Sequence, residues 1–340
     1  MRSAHRQADR HSGGRMEGSI TDVAGVLVGH EHDLERGSGV TVLLLPGGAA
    51  GAADIRGEAA GTRQMDSLVR PHPVRRIHAL VLAGGSAFGL DAAAGVMRFL
   101  EERGVGFPTS AGMVPIVPTA VIYDLGFGDR TCRPTPETAY AAAAKASGGP
   151  PGRGCVGAGA GATVGKIFGL ERAMKGGFGT ASVQAGGALV GACAVVNAFG
   201  DVFDPRSGEW LAGARTADGT ERSGTEEAFL GGYLREPFSP GNTTLAVVAT
   251  ADDLSREELA GVARMAHGAL FRAIRPVHTP MDGDIVIALS TGAAGRKGNP
   301  MQTAVLATRA LEGAIVDAVM SATGGCGLPA AGEMRGGGAR

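Results

Sequence analysis

The sequence predicts an α/β fold in which sheets pack on each other and helices cover the outside. Three observations support this prediction. Glycine supplies 58 of the 340 residues, hydrophobic residues make up 44% of the chain, and aromatic residues only 4%. Runs rich in valine and leucine alternate with segments of helical periodicity, and some of these runs follow each other in pairs. Because no G-X-Y period accompanies the glycine and the apolar fraction is high, collagen and wholesale disorder are excluded.

The individual elements follow from local composition. We expect strands where Val, Leu and Ile predominate, at 25–29, 39–45, 77–83, 189–197, 244–250 and 284–290. We expect helices from apolar periodicity or alanine content at 90–103, 136–147, 254–272 and 302–320. Ser255 stands where it can cap the third helix, with Glu258 three residues later. Residues 205–241 are polar and turn-forming, which predicts an exposed loop.

Charge and apolar content limit the functions that the chain can have. The formal net charge is −1, so no strong field attracts nucleic acid or anionic lipid. No apolar run reaches the ~18 residues that span a membrane, and the polar start of the chain lacks the apolar region of a secretory signal. Residues 1–18 are expected to form a disordered arm, and the protein is expected in the cytoplasm. The four cysteines lack C-x-x-C spacing, which predicts reduced thiols rather than disulfides or a zinc site.

Several local patterns approach known motifs without matching them. The segment 84–89, GGSAFG, lacks the G-x-G-x-x-G of a dinucleotide loop, and Phe88 stands where a nucleophile elbow needs glycine. The run that ends at Lys166 has Ala160 in place of the first P-loop glycine and Ile167 in place of the Ser or Thr that holds magnesium. The histidines also lack metal-binding spacing, and surface positions are expected for His30, His32, His72 and His78.

The segment 241–245, GNTTL, joins the polar loop to a buried strand. One interpretation is a plain turn that enters a strand. The other is a self-cleavage junction, in which Thr243 Oγ attacks the carbonyl of Asn242 and hydrolysis of the resulting ester frees a new amino terminus. Thr243 would then supply both a nucleophilic hydroxyl and an α-amino base whose ordinary pKa is about 7.7–8.0.

Further segments carry side chains suited to catalysis. Asp282 and Asp284, separated by a glycine, can project toward one site and hold an ammonium or accept a hydroxyl hydrogen bond, unless both simply face water. Asn197 ends a buried strand, where it is either a turn former or an amide donor to a developing oxyanion. Lys166 follows a glycine-rich run and either stabilises negative charge or extends its amine to solvent. The residues alone leave these alternatives open.

Taken together, these segments resemble one family, the DmpA-type aminopeptidases. This family comprises self-processing N-terminal-nucleophile hydrolases and includes β-peptidyl aminopeptidases and nylon-oligomer hydrolases. The resemblance runs from about residue 20 to about residue 320 and rests on nine segments in order. They are ITDVAGVLVGH, DIRG, LAGGSAFGL, PIVPTAVIYD, GAGAGATVGK, MKGGFGTAS, AVVNAFGDVFDP, GNTTLAVVAT and HTPMDGD. The Asn-Thr-Thr and Asp-Gly-Asp segments are most similar to the nylon-oligomer branch, whereas the aminopeptidase branch usually has a serine nucleophile.

The resemblance implies a fold, a cleavage and an assembly. The fold is a four-layer αββα sandwich, formed here by a single hydrolase domain over 19–330. Cleavage between Asn242 and Thr243 would leave an α chain that ends at 242 and a β chain of 98 residues. Four such αβ units would form a homotetramer. No metal or organic cofactor is required.

The resemblance also implies roles for individual residues. Thr243 would be the nucleophile and, after cleavage, the base. Asp282 and Asp284 would orient Thr243 and hold its amino group, while Asn197 would serve the oxyanion. Lys166 would support the nucleophile or the processing step.

The implied substrates are small molecules. Linear aliphatic or peptide-like amides, nylon oligomers among them, would be cleaved through an acyl-enzyme. Tyr123, in VIYD, matches a pocket tyrosine that contacts the substrate amide. The alternatives are a β-peptidyl or D-/L-aminopeptidase of the same family and an acyltransferase that uses the same threonine.

Overall fold

The computed structural model describes residues 18–233 and 241–335. The predicted N-terminal arm lies outside the described residues except for Gly18. The strands within the described ranges are β1 Leu27–Asp33, β2 Ser38–Ile55, β3 Gly61–Arg63, β4 Arg76–Ala83, β5 Phe107–Thr109, β6 Gly112–Val114, β7 Thr119–Val121, β8 Thr163–Val164, β9 Met174–Lys175, β10 Gly177–Ala185, β11 Ala188–Asn197, β12 Asp201–Phe203, β13 Trp210–Ala212, β14 Thr243–Thr250, β15 Ile274–Arg275 and β16 Ile285–Ser290. The helices are α1 Asp66–Val69, α2 Ala93–Glu101, α3 Pro136–Lys145, α4 Thr225–Leu230, α5 Arg256–Ala273, α6 Pro300–Met320 and α7 Ala331–Arg335.

One hydrogen-bonded sheet contains most of the long strands. Its order is β10-β11-β14-β16-β2-β4-β7-β3, and β1 pairs with the first half of β2. The first half of β2 also pairs with β4, whereas its second half pairs with β16. Between the halves, the register with β4 shifts across Pro46, Gly47 and Gly48, and Gly48 adopts a φ of +67°. At this bend, β2 passes from one half of the sheet into the other.

Three hydrophobic clusters show that the two halves face each other. The middle cluster joins side chains from both halves, among them Leu43, Leu80, Leu82, Val195, Leu245 and Ile287. A second cluster packs the opposite face of β11, β14 and β16 against α5 and α6. A third packs β2 and β4 against α2 and α3. The layers therefore run helix, sheet, sheet, helix, and the predicted αββα sandwich is confirmed.

Local signals place the helices where the sequence predicts them. Ser255 Oγ accepts the N–H of Glu258, and the Glu258 side chain accepts the N–H of Ser255, so the predicted capping box at the start of α5 is confirmed. Thr135 caps α3 and Asn299 caps α6, in both cases directly before a proline at the first helical position. No helix in the described ranges is long and apolar enough to cross a membrane.

The segment expected to be an exposed loop, 205–241, is ordered in much of its length. Trp210–Ala212 forms β13 and pairs with β12, and Thr225–Leu230 forms α4. Leu211, Ala214 and Thr225 are buried. The prediction is wrong for these residues, because the polar composition around them conceals a few side chains that pack inward. Residues 234–240, which complete the predicted loop, lie outside the described residues.

Two histidines also depart from the prediction that they lie on the surface. His78 is buried, and its Nδ1 accepts the N–H of Ile116 at 3.1 Å. His30 is largely covered and lies 3.0 Å from the Thr41 hydroxyl through Nδ1. Burial lowers the pKa of His30 to about 4. Both rings serve the packing of the sheet, which spacing along the chain does not reveal.

Candidate active site

Sheet topology brings the predicted site residues to one end of the central strands. β14 begins at Thr243 and runs antiparallel to β11, so Thr243 lies opposite Asn197 at the end of β11. β14 runs parallel to β16, so the start of β14 also lies beside the turn that enters β16. That turn carries Asp282 and Asp284, and residue 282 forms a bridge with Asn242. Four of the predicted residues, Asn197, Thr243, Asp282 and Asp284, are thus neighbours. They lie at the same end of the adjacent strands β11, β14 and β16.

The peptide bond before Thr243 is uncut in the structure and is buried. Asn242 and Thr243 are each only 3% exposed. The hydroxyl of Thr243 donates to the carbonyl oxygen of Asn242 through a short contact. The same carbonyl oxygen accepts the backbone N–H of Gly283 at 2.9 Å. A hydroxyl oxygen therefore lies next to a carbonyl group that a fixed N–H polarises.

Lys166 and Asn197 instead donate hydrogen bonds to the carbonyl oxygen of Gly241, the residue before Asn242. Lys166 Nζ donates to Oδ1 of Asn197 at 2.8 Å, to its carbonyl oxygen at 3.1 Å, and to the carbonyl oxygen of Gly241 at 3.3 Å. The Asn197 amide donates to the carbonyl oxygens of Tyr123 at 3.1 Å and Gly241 at 3.4 Å. In the uncut chain, the amide of Asn197 is thus directed at Gly241, and the Asn242 carbonyl oxygen instead accepts the Gly283 N–H and the Thr243 hydroxyl.

Tyr123 lies at the open side of this cluster. Its side chain is 40% exposed, and its ring is close to Gly241, since a Cβ built at Gly241 would lie 2.9 Å from Cδ1 of the tyrosine. The substrate contact of Tyr123 stays a prediction. The ring is nevertheless placed beside the segment that leads to the Asn242–Thr243 bond.

Asp284 links the start of β14 to the loop before β16. Its Oδ1 accepts the N–H of Thr244 at 2.6 Å. Its Oδ2 accepts the N–H of His278 at 3.1 Å and lies 2.9 Å from Nδ1 of the same histidine. Because Asp284 is 1% exposed, these contacts replace hydration of the carboxylate. The carboxylate thereby fixes the position of the backbone directly after Thr243.

Asp282 is held by hydrogen bonds from two segments of the chain and has a raised pKa. Its Oδ1 accepts the N–H of Phe199 at 3.3 Å, and its Oδ2 accepts the N–H and the hydroxyl of Thr279 at 3.0 and 2.5 Å. Burial first, and then the negative charge of Asp284, raise the pKa of Asp282 to about 6. No hydrogen bond within the described ranges joins either carboxylate to the hydroxyl of Thr243.

A glycine next to β2 lets the backbone of this loop approach closely. Gly57 adopts a φ of +94°, and a Cβ there would lie 2.3 Å from the carbonyl oxygen of Asp282. On either side of it, the N–H of Arg56 donates to the carbonyl oxygen of Asp284 at 2.8 Å, and the N–H of Ala59 donates to that of Asp282 at 3.0 Å. The conformational freedom of glycine is needed here for the chain to follow the Asp282–Asp284 backbone.

Sequence reasoning missed two histidines that lie behind the acidic pair. His278 opens the segment that contains both aspartates and adopts a φ of +56°, which is unusual for a residue with a side chain. Its ring contacts His267, which is fully buried on α5. The closeness of His278 to Asp284 in the sequence was a usable signal. No local pattern indicates His267, because it comes from a different element.

Comparisons with known proteins give the chain its relatives. The profile of Peptidase family S58 matches residues 18–329. An uncharacterized aminopeptidase of Mycobacterium tuberculosis is 44% identical over 322 residues, which cover 91% of this chain and 90% of the relative. A 6-aminohexanoate-oligomer endohydrolase of a Kocuria species is 34% identical over 273 residues, which cover 79% of this chain and 74% of the relative.

A solved structure confirms the fold independently. It is that of the L-aminopeptidase D-Ala-esterase/amidase from Ochrobactrum anthropi, described as a variant of the Ntn-hydrolase fold. The TM-score is 0.64 at 21% identity, and the match covers 89% of this chain and 86% of that one. Such identity supports the fold alone. Profile, relatives and fold agree, and the chain is a hydrolase that belongs to peptidase family S58, the DmpA family.

Proposed function

We propose that the chain processes itself, with Thr243 as the nucleophile first of its own cleavage and then of amide hydrolysis. The observation that carries this proposal is the geometry of the uncut junction. The Thr243 hydroxyl donates a hydrogen bond to the carbonyl oxygen of Asn242, and the same oxygen accepts the Gly283 N–H. A hydroxyl beside a polarised carbonyl is the arrangement that acyl transfer requires.

The first step is an N-to-O acyl shift. Oγ1 of Thr243 bonds to the carbonyl carbon of Asn242, the C–N bond breaks, and the hydroxyl proton passes to the departing amine. Water then hydrolyses the ester, which leaves a carboxylate on Asn242 and a free hydroxyl and amine on Thr243. In the tetrahedral stage, the Gly283 N–H faces the oxygen that gains negative charge and stabilises it.

The new α-amino group of Thr243 then serves as the base for its own hydroxyl, since its ordinary pKa of about 7.7–8.0 suits proton transfer near neutral pH. Asp282 and Asp284 are suited to hold this group. In the uncut chain, Oδ1 of each accepts one hydrogen bond, from Phe199 and Thr244 respectively, so each oxygen can accept another.

A substrate amide would take the place that Asn242 occupies before cleavage. Its acyl carbonyl would lie beside Thr243 Oγ1 and accept the Gly283 N–H, and water would resolve the acyl-enzyme after the amine departs. The groups that contact Gly241 in the uncut chain, namely Tyr123, Asn197 and Lys166, would then flank the substrate.

We favour linear aliphatic amides as substrates. The Asn-Thr-Thr and Asp-Gly-Asp segments are similar to the nylon-oligomer branch, and one relative is named 6-aminohexanoate-oligomer endohydrolase. The second candidate is an aminopeptidase, favoured by the name of the relative at 44% identity. A panel of an α-peptide, a β-peptide and a linear 6-aminohexanoate oligomer separates the two. Added amine acceptors, with measurement of how the product partitions, would reveal an acyltransferase.

Denaturing electrophoresis and intact mass measurement test the processing. We expect the purified protein to give chains of 242 and 98 residues, and Thr243→Ala to stay intact and inactive. Thr244→Val is the matched control, because it removes a neighbouring buried hydroxyl that has no hydrogen-bond partner among the described residues. A wild-type protein that is fully active as one uncut chain would contradict the proposal.

The assembly and the location also remain proposals. We propose that the cleaved protein forms a tetramer of αβ units in the cytoplasm. Light scattering coupled to size-exclusion chromatography tests the first statement, and cell fractionation tests the second. A monomeric mass at micromolar concentration would contradict the tetramer.

A further inference from the structure

Behind Asp284, two imidazole rings form a hydrogen-bonded chain that leads away from Thr243. His278 Nδ1 lies 2.9 Å from Asp284 Oδ2, and His278 Nε2 lies 3.2 Å from His267 Nδ1. His267 Nε2 lies 3.1 Å from the carbonyl oxygen of Asp54 and 3.4 Å from its Oδ2. The ring of His267 is fully buried and that of His278 is 8% exposed, so water does not replace these contacts.

The groups at the two ends of this hydrogen-bonded series determine how many N–H hydrogens it needs. At one end, Asp284 is a carboxylate that accepts hydrogen bonds, and at the other the Asp54 carbonyl oxygen can only accept. Three hydrogen bonds therefore link two acceptors through two rings and require three N–H hydrogens. Two neutral imidazoles have two in total. One extra proton must be present for all three contacts to be hydrogen bonds.

We propose that His278 and His267 share one extra proton, and that this charge positions Asp284 for the reaction at Thr243. The positioning role rests on the function proposed above, whereas the shared proton does not. His278 is a positioning residue here, because it reaches the reacting groups only through Asp284.

The surroundings place the proton on His278. Burial lowers the pKa of His267 to about 4, so His267 is the neutral ring and donates from Nε2 to Asp54. Each oxygen of Asp284 accepts a backbone N–H, from Thr244 and His278, so the hydrogen between Asp284 and the ring is assigned to the imidazole nitrogen. The result is a buried ion pair between the His278 imidazolium and Asp284, with the edge of His278 covered by the ring of Phe271 at 4.7 Å.

The charges around the pair support this assignment. From the same loop, Asp284 faces His278, and from α5 His267 faces it, whereas the Asp282 carboxylate is bound by Phe199 and Thr279. At the end of β2, Asp54 forms an ion pair with Arg56 at 3.0 Å and so offers little net charge to the rings. The imidazolium charge is therefore directed mainly at Asp284, which explains how two carboxylates two residues apart are accommodated in one buried turn.

Nitrogen NMR on histidine-labelled Thr243→Ala protein tests the shared proton without any need for activity. Long-range proton–nitrogen correlations distinguish an imidazolium, with both nitrogens protonated, from a neutral ring. At pH 6–7 we expect one imidazolium and one neutral ring with hydrogen on Nε2, assigned with His278→Asn and His267→Gln. If one variant does not fold, the other still assigns the pair. Two neutral rings would overturn the proposal.

The pH dependence of self-cleavage tests the positioning role. His278→Asn keeps an N–H donor near Asp284 but removes the charge, so we expect cleavage about 10-fold slower at neutral pH, as for other groups that orient a catalytic ligand. The fall in rate at high pH that follows loss of the shared proton should also disappear. On substrate, kcat should fall while KM stays constant. The exposed His32→Asn is the control and should behave as wild type.

The outcomes separate the two proposals. If His278→Asn cleaves and hydrolyses with the wild-type pH profile, the positioning role is wrong even when the imidazolium is seen. If wild-type protein never cleaves, the function proposed for Thr243 is wrong, and the NMR result alone still decides whether the proton is shared.

Discussion

Two of the regions that bury aspartates, at the starts of β14 and β12, use them differently. At the start of β14, Asp282 and Asp284 lie beside Thr243 and the buried peptide bond that precedes it. At the start of β12, Asp201 is equally buried, and burial raises its pKa to about 6, as for Asp282. Asp201, however, accepts the N–H of Ala214 at 2.7 Å and the N–H and hydroxyl of Thr225 at 2.6 and 2.9 Å.

The comparison teaches that a raised pKa does not by itself identify a catalytic acid. All three donors to Asp201 belong to the stretch from the end of β13 to the first residue of α4, so its carboxylate closes a loop. Each acid of the pair has a second carboxylate nearby, and Asp284 also contacts an imidazole and the start of β14. Closeness to the Asn242–Thr243 junction, rather than burial, distinguishes the candidate site.

Replacement of one acid in each region gives the largest expected contrast. Asp284→Asn should slow self-cleavage on the order of 10²-fold or more, because the new amide group disturbs the contacts that position Thr244 and His278. Asp201→Asn should cleave at nearly the wild-type rate once folded. The cleaved fraction is followed over time by electrophoresis. Equal rates for the two variants would remove the distinction between the regions.

The stability of the uncut chain should depend on pH through Asp201. A carboxyl group whose pKa is raised on folding stabilises the protein fully below its unfolded pKa of about 3.9, and this contribution is lost as pH rises through about 6. As the pH rises between these two values, the free energy of unfolding of Thr243→Ala should fall by up to about 3 kcal/mol relative to that of Thr243→Ala/Asp201→Asn. Urea unfolding at pH 4, 5, 6 and 7 measures the difference. A difference that does not vary with pH would show that Asp201 does not titrate in this window.

A Cβ at Gly57 should lower the free energy of unfolding by about 1–3 kcal/mol, which is typical of an overpacked site, and should displace the acidic pair. Gly57→Ala would force the Asp282 backbone to move and require a positive φ from alanine, so slower cleavage and lower stability are expected. Gly47→Ala is the matched control, because a Cβ there would have no neighbour within 4 Å. Thermal unfolding and the cleavage rate of both variants check this expectation.

The smallest expected effect is a shift in titration. In Asp284→Asn, the negative charge that helps to raise the pKa of Asp282 is removed, while the burial of Asp282 remains. The pKa of Asp282 should therefore decrease and stay above its ordinary value. Carbon NMR of labelled aspartate carboxyl groups in the uncut Thr243→Ala background measures it. An unchanged pKa would show that the two charges do not interact.

Local patterns explain most of what the sequence predicted. Continuous apolar runs indicated β4, β11, β14 and β16, and the Ser255 cap indicated the start of α5. Thr243, Asp282 and Asp284 were identifiable because each lies in a short contiguous segment at the end of a strand. Their catalytic roles remain predictions.

Long-range contacts explain what the sequence did not predict. The bend of β2 at Pro46–Gly48 divides one strand between two layers, and its effect depends on strands far away in the chain. The partners of Asp201 lie up to 24 residues away, within a segment whose composition indicated solvent exposure. His267 joins the site from a helix. Periodicity describes neighbours along the chain, and none of these contacts is of that kind.

The central position of β14 has a consequence for how the protein is made. Thr243–Thr250 is hydrogen-bonded to β11, and its neighbour β16 is hydrogen-bonded to β2, so a cut before Thr243 would leave the two fragments interlocked on both sides of β14 and β16. Once separated, the pieces could reunite only by a bimolecular encounter, at a rate that depends on their concentration. The order of events would then be irreversible in practice: the single chain must fold before it is cut, and a cleaved molecule that unfolds loses the direct route back.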